Sequence, residues 1–242
     1  QPQPFAAMAA AYAGHAVSAA ATVLASSSKA LPAGAAIVEG AEEGSRIAAA
    51  AGERLQAGLR RAVTERRTRV AEVALADGSA SILFSCLLPP PNVLVLGAGL
   101  DAEPVVRLIA ELGWRVTVQD HRPAYIGKGD FRSADRVLNL APGELAAGLS
   151  LEEFDAAIVM SHHLQTDRQY LESLAATNIG YIGLLGPIAR RRRLQADLGS
   201  RGKTLDGRLH GPAGLDIGGR GPGSIALSIV AELHQRMMQD DV

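Results

Sequence analysis

The sequence predicts an α/β chain in two parts: a doubly wound parallel sheet over residues 91–242, preceded by a smaller mixed α/β domain over residues 1–90. Three observations carry this. Residues 93–96 (VLVL) are a wholly apolar run, the pattern of a strand buried on both faces of a parallel sheet. Gly97, Gly99 and Ala102 follow at G-x-G-x-x-A spacing and open a stretch with Val105, Leu108, Ile109 and Leu112 at helical intervals, which Gly113 ends. Residues 114–118 then read as a second strand, and Asp120 ends it about 20 residues past the glycines, where an acid for ribose hydroxyls belongs. Strand, glycine turn, helix and acid together are far more specific than the glycines alone, and they give a Rossmann-like, dinucleotide-type fold.

Bulk properties narrow the classes. Hydrophobic residues make up 48% of the 242 and charged residues 20%, the balance of a globular protein with ample core. A formal net charge of -1 offers no broad attraction to nucleic acid or an anionic membrane. Cys86 is the single cysteine, which excludes an intrachain disulfide and a cysteine-rich zinc site and fits a reducing, cytoplasmic setting. No apolar run reaches the roughly 18 residues that span a bilayer. The chain starts at Gln1 rather than Met, as a trimmed or processed chain would, and residues 6–25 lack the basic flank of a signal peptide.

In chain order, residues 1–4 read as an open start and 5–12 as a short helix. Strands are expected at 17–25 and 35–38, although alanine is a poor strand former. Residues 42–61 read as a helix whose sparse apolar face is Ile47, Leu55 and Leu59, and the arginines 60, 61, 66, 67 and 69 as a solvated helix end. Residues 69–75 and 81–88 form a hairpin around Ala76-Asp77-Gly78, with Cys86 expected as a small buried residue. Pro89-Pro90-Pro91 marks the domain boundary. Beyond it, strands at 136–140, 156–160 and 179–185 alternate with helices at 165–176 and 187–198, as a doubly wound sheet requires. A loop through Arg201-Gly202-Lys203 and the glycine-rich run 210–219 precede a last amphipathic helix over 224–238, with Pro222 suited to its first position.

Ligands of such folds bind at the carboxyl ends of the strands, near the point where strand order reverses, and four clusters fall there. Gly97, Gly99, Ala102, Asp120 and Arg122 form the first; its glycines admit a phosphate, although Asp101 and Glu103 would oppose a pyrophosphate. The second is Ser161-His162-His163 with Asp167. His162 or His163 is the candidate for proton transfer, and Asp167 either orients a histidine or caps the next helix. Adjacent histidines point apart, so no metal site is read from them. The third holds Gly183 and Gly186, followed by arginines 190–193, of which one or two reach an anion while the rest are solvated. The fourth is His210, Gly214, Asp216 and Gly218, a turn able to present backbone N–H groups to phosphate.

These clusters, in this order, resemble the XdhC/CoxI family, accessory proteins of molybdenum hydroxylases such as xanthine dehydrogenase. The segments that carry the resemblance are GAGLDAEPVVRLIAELGWRVTVQDHRP, SHHLQTD, YIGLLGPIARRRR and HGPAGLDIGGRGPGSIALSIVAEL, spanning roughly residues 92–235. The resemblance implies a chaperone with molybdenum cofactor (molybdopterin) as cargo, which shelters the cofactor during sulfuration and inserts it into an apo molybdenum hydroxylase large subunit. It further implies a cysteine desulfurase as sulfur donor and a homo-oligomeric state. Three departures stand out. The counterpart of the family's N-terminal cysteine segment, residues 39–44 (EGAEEG), has no cysteine; the histidine motif reads S-H-H-L rather than T-H-D-H; and G-P-G-S replaces T-P-E-E before the last helix, removing both first-turn acids.

Two alternatives stand beside this reading. An NAD(P)-dependent oxidoreductase would use Gly97, Gly99 and Asp120, with Arg122 leaving a 2′-phosphate open, but no hydride-transfer arrangement accompanies them. A divergent interaction protein without cofactor chemistry would account for the missing cysteine and the alanine-rich start.

Overall fold

The computed structural model describes residues 17–38 and 45–238, with residues 9 and 13 besides. The start at 1–4, the helix expected over 5–12 (apart from Ala9) and the 39–44 segment lie outside the described residues. The chain divides into two units, Gln1–Pro90 and Pro91–Val242.

In the first unit, strands β1 (Ser18–Ser26), β2 (Ala36–Val38), β3 (Arg69–Leu75) and β4 (Gly78–Leu87) form an antiparallel sheet in the order β2-β1-β4-β3. Helix α1 (Ser45–Glu65), interrupted at Gly52, packs Leu55, Leu59 and Ala62 against Ala19, Ala21, Val23, Ile82 and Phe84. Alternation sends every second residue of β1 inward, and pairing along β4 overrides the poor strand propensity of its alanines. The hairpin is tighter than expected, with its second strand starting three residues before position 81. Leu75 pairs with Gly78, so Ala76 and Asp77 form the turn and Gly78 opens β4. Asp77 instead secures a neighbouring loop, accepting hydrogen bonds from Ser28 Oγ (2.5 Å) and Lys29 N (3.1 Å), which hold its carboxyl below the usual range. Cys86, expected to be buried, is half-buried, in the last three residues of β4, none of which is fully buried.

The second unit is a six-stranded, wholly parallel sheet. Its strands are β5 (Asn92–Leu96), β6 (Arg115–Gln119), β7 (Arg136–Leu138), β8 (Ala156–Val159), β9 (Tyr181–Leu184) and β10 (Leu209–His210), in the order β10-β9-β8-β5-β6-β7. This is the doubly wound order, with the reversal between β5 and β8. Both faces are covered, which is why β5 shows no polar alternation. Val93 and Val95 join α2 (Ala102–Glu111) and α8 (Pro222–Met238) in one core. Leu94 and Leu96 join α5 (Leu164–Leu174) and α6 (Ile188–Asp197) in the other. The remaining helices are short: α3 (Pro123–Lys128), α4 (Leu145–Gly148) and α7 (Ser200–Lys203).

Two features differ from expectation. Residues 201–203 form the helical turn α7 rather than a loop, and His210 ends a sixth strand rather than opening a loop. A two-residue strand has no periodicity to read. Helix α2 ends in a Schellman motif, with Gly113 at φ +73, Gly113 N donating to Ala110 O (2.9 Å) and Trp114 N to Ile109 O (3.3 Å).

Two glycine substitutions separate backbone strain from steric exclusion. Gly113 has open space where a Cβ would stand, so Gly113→Ala should cost only the left-handed penalty, about 1 kcal/mol. Gly97 has φ +129, and a Cβ there would lie 2.6 Å from Met160 O, so Gly97→Ala should lower the urea midpoint several times as far.

Candidate functional site

The carboxyl ends of β5, β6, β8 and β9 bring three of the four sequence clusters together. Gly97 leaves β5 pressed against the Met160–Ser161 backbone at the end of β8, a spacing that only glycine permits. Asp101, just before α2, does not cap the helix with its side chain. It folds back so that its Oδ1 would be 2.6 Å from a Cβ at Gly99, while its Oδ2 lies 2.7 Å from His162 Nε2. That contact spans the reversal point, joining the loop after β5 to the loop after β8. His162 reaches it from a left-handed backbone, φ 61, a conformation costing about 1–2 kcal/mol for a residue with a Cβ. The imidazole stays 58% exposed, whereas the Asp101 side chain is 17% exposed.

Asp120 has no exposed surface. Its Oδ2 accepts from Ala98 N (2.8 Å) and Arg122 Nη2 (2.7 Å), and its Oδ1 from Arg122 N and Nε (2.9 Å each). Asn139, past β7, donates to its backbone carbonyl at 2.7 Å. Burial pushes this carboxyl up, but the Arg122 guanidinium and the two backbone N–H donors together hold it below the usual range. Arg122 also lies 3.7 Å over the Tyr125 ring and places Nη2 3.4 Å from Ser161 O. The carboxylate expected to meet a ribose is thus already saturated by its own loop.

A second buried acid continues the row. Ser161 Oγ donates to Asp167 Oδ1, and Asp167 Oδ2 accepts from Arg190 Nε (3.0 Å) and Nη2 (2.6 Å). Asp167 therefore neither orients a histidine nor caps α5. The cap is His163, whose Nδ1 accepts from Thr166 N at 3.4 Å. Of arginines 190–193, Arg190 is the one that reaches an anion at this site, and that anion is internal. Gly186, at φ +118, makes room for it: a Cβ there would lie 2.8 Å from Arg190 Cδ. Tyr170, whose hydroxyl is pushed up chiefly by burial, supports the row from below by donating to Gln119 Oε1 (3.2 Å).

The remaining sequence candidates lie elsewhere. Ala102 is buried, and its N–H donates to Gly99 O at 2.9 Å. A Cβ at Gly183 would lie 3.0 Å from Tyr181 Oη, so Gly183 is a packing glycine. Gly214 N donates to Glu232 Oε2 at 2.6 Å and is not offered to a phosphate. Asp216 and Gly218 are exposed in the loop before α8. His210 stacks on Tyr181 with centroids 4.9 Å apart, and Tyr181 Oη donates to Glu232 Oε2 at 2.8 Å. This group borders a cavity of about 580 Å³ lined by Asp155, Asn178, Tyr181, Gly207, His210 and Arg236. Most of that lining precedes a strand, which puts the cavity at the amino ends, opposite the Asp120–Asp167 row. Glu232 escaped the sequence reading; its signal is an acid embedded in the apolar run IALSIVAEL.

Known proteins share this arrangement of strands and loops. The family model described as the XdhC Rossmann domain matches residues 93–233. The chain is 36% identical over 159 residues to a Bacillus subtilis (strain 168) protein named as a probable xanthine dehydrogenase subunit, covering 66% of this chain and 47% of that protein. It is 27% identical over 164 residues to the uncharacterized protein YqeB of Escherichia coli K12, covering 65% of this chain and 29% of that protein. The matched stretch thus spans less than half the length of either curated relative. A crystal structure described as a xanthine dehydrogenase from Bacillus halodurans superposes with a TM-score of 0.56 at 19% identity, covering 98% of this chain and 96% of that one, a likeness of fold.

Two measurements test the electrostatics. Arg122→Ala leaves Asp120 buried with half its donors gone and should cost about 3–5 kcal/mol in denaturant unfolding, whereas Arg132→Ala, in an exposed pair with Asp130, should leave the midpoint where it was. Burial pushes His210 below 6.5, with Glu232 pulling the other way, so the unfolded chain binds the proton first as pH falls. Stability should therefore decline on acidification just below pH 6.5, and His210→Asn should flatten that slope in melting curves.

Proposed function

The chain belongs to the XdhC family, and on that premise we propose that it is an accessory factor that binds molybdenum cofactor and hands it to a xanthine dehydrogenase-type molybdenum hydroxylase. The observation that supports the reading most is the row Asp120–Arg122–Ser161–Asp167–Arg190 at the reversal point of the sheet. It offers fixed cationic groups beside an exposed imidazole, a setting suited to an anionic pterin held without chemistry. Shelter of the cofactor during sulfuration is part of the same proposal. The sulfur chemistry is assigned in this proposal to a cysteine desulfurase partner.

A dinucleotide in the usual pose fits these residues poorly. The pyrophosphate would meet the Asp101 carboxylate against Gly99, and the ribose would have to displace Arg122 from an acid that has no exposed surface.

Equilibrium titration of the full chain with purified molybdenum cofactor, read by pterin fluorescence, should give saturable binding. The same titration with NAD and NADP should give none. A folded protein that leaves the cofactor free in solution would overturn the reading, and tight NAD binding would restore the oxidoreductase.

A further inference from the structure

We propose that Arg122 and Arg190 together form a two-armed site for a phosphate ester or a similar oxyanion, in place of the glycine-loop position that parallel α/β sheets ordinarily offer. The glycine loop is occupied from within, because the Asp101 carboxylate lies against Gly99 and holds His162 across the opening. An incoming anion there would meet a negative charge at short range, where Coulomb repulsion is strongest.

The two arginines present the opposite situation. Each is gripped through Nε and Nη2 by an aspartate with almost no exposed surface, Asp120 in one case and Asp167 in the other. They flank one residue, Ser161. Arg122 approaches its carbonyl, and Arg190 is linked to its hydroxyl through Asp167. Among the described residues, neither Nη1 takes part in a hydrogen bond or ion pair. Side-chain exposures of 26% for Arg122 and 21% for Arg190 keep part of each in reach of solvent.

A guanidinium fixed in this way has already lost its rotamer freedom, so an anion that meets Nη1 does not bear that cost. In each pair the aspartate is buried and the guanidinium partly exposed, so the charge nearer solvent is positive. Tyr125 covers one face of Arg122. Two such guanidinium groups on either side of Ser161 suit a tetrahedral oxyanion with several acceptors. Naming the pterin's phosphate as the natural occupant rests on the cofactor-binding reading above; the site itself does not.

The test uses inorganic phosphate as probe and the Nε–Hε resonances of Arg122 and Arg190 in proton–nitrogen NMR of the full chain. Both resonances should shift together and saturably, while the amides of 99–101 stay in place. Arg122→Lys and Arg190→Lys keep the charge but lose the fork, and each should weaken phosphate binding about tenfold. Asp101→Asn should leave binding unchanged or tighter. Absence of saturable shifts in the wild-type chain, or shifts confined to residues 99–101, would overturn the proposal without any variant having to fold. Cofactor titration separates it from the functional reading. Phosphate binding at the arginines without cofactor binding keeps the site and ends the chaperone role. Cofactor binding indifferent to both lysine variants does the reverse.

Discussion

The buried carboxylate of Asp120 is the joint on which the carboxyl end of the sheet depends. Its oxygens draw the loop after β5 inward through Ala98 N and fix Arg122 after β6, which in turn reaches the Ser161 carbonyl after β8. Its own carbonyl receives Asn139 from beyond β7. Four strand ends thus meet at one charge that is fully desolvated and matched donor for acceptor. A buried carboxylate in that state is costly to disturb, since removing any donor leaves a charge without solvent or partner. Asp167 repeats the arrangement one step along the sheet with Ser161 and Arg190. The result is a rigid polar floor laid across the end of an apolar sheet.

The sheet itself was legible because burial on both faces removes polar alternation. The runs 93–96 and 156–160 have no other ready explanation, and the alternation of strands and helices gave the doubly wound class. The site was legible only in part. Spacing placed Asp120 at the strand end, but spacing says nothing of which donors a carboxylate finds; Arg122, two residues on, was close enough to take it. Asp167 was seen beside a histidine in sequence, yet its first helical turn aims it toward Arg190, and His163 caps the helix instead. Glu232 and the strand β10 were not visible, the one because it sits in an apolar helix and the other because two residues show no period. The glycines in 183–219 looked alike in sequence but divide by contact: Gly186 clears space for Arg190, whereas Gly183 and Gly214 serve packing and an internal carboxylate.

The two ends of the sheet therefore differ in kind. The carboxyl end concentrates guanidinium–carboxylate pairs and an exposed imidazole, a polar surface with fixed geometry. The amino end holds a cavity bordered by stacked Tyr181 and His210, with Glu232 accepting from a phenol and a backbone N–H. Burial keeps that tyrosine and that histidine toward their neutral forms. His210 belongs to this second environment because its ring stacks on Tyr181, the first residue of β9.

The left-handed backbone at His162 has a mechanical meaning. The turn is uphill for a residue with a side chain, and the contact with Asp101 is what repays it. Twist and tether oppose each other across the crevice like a spring held by a catch. Anything that competes for either partner, whether an anion drawn to the imidazole or a cation drawn to the carboxylate, removes the reason for the twist. The left-handed turn at His162 and the place of Asp101 over Gly99 therefore rest on one and the same contact between the loops after β5 and β8.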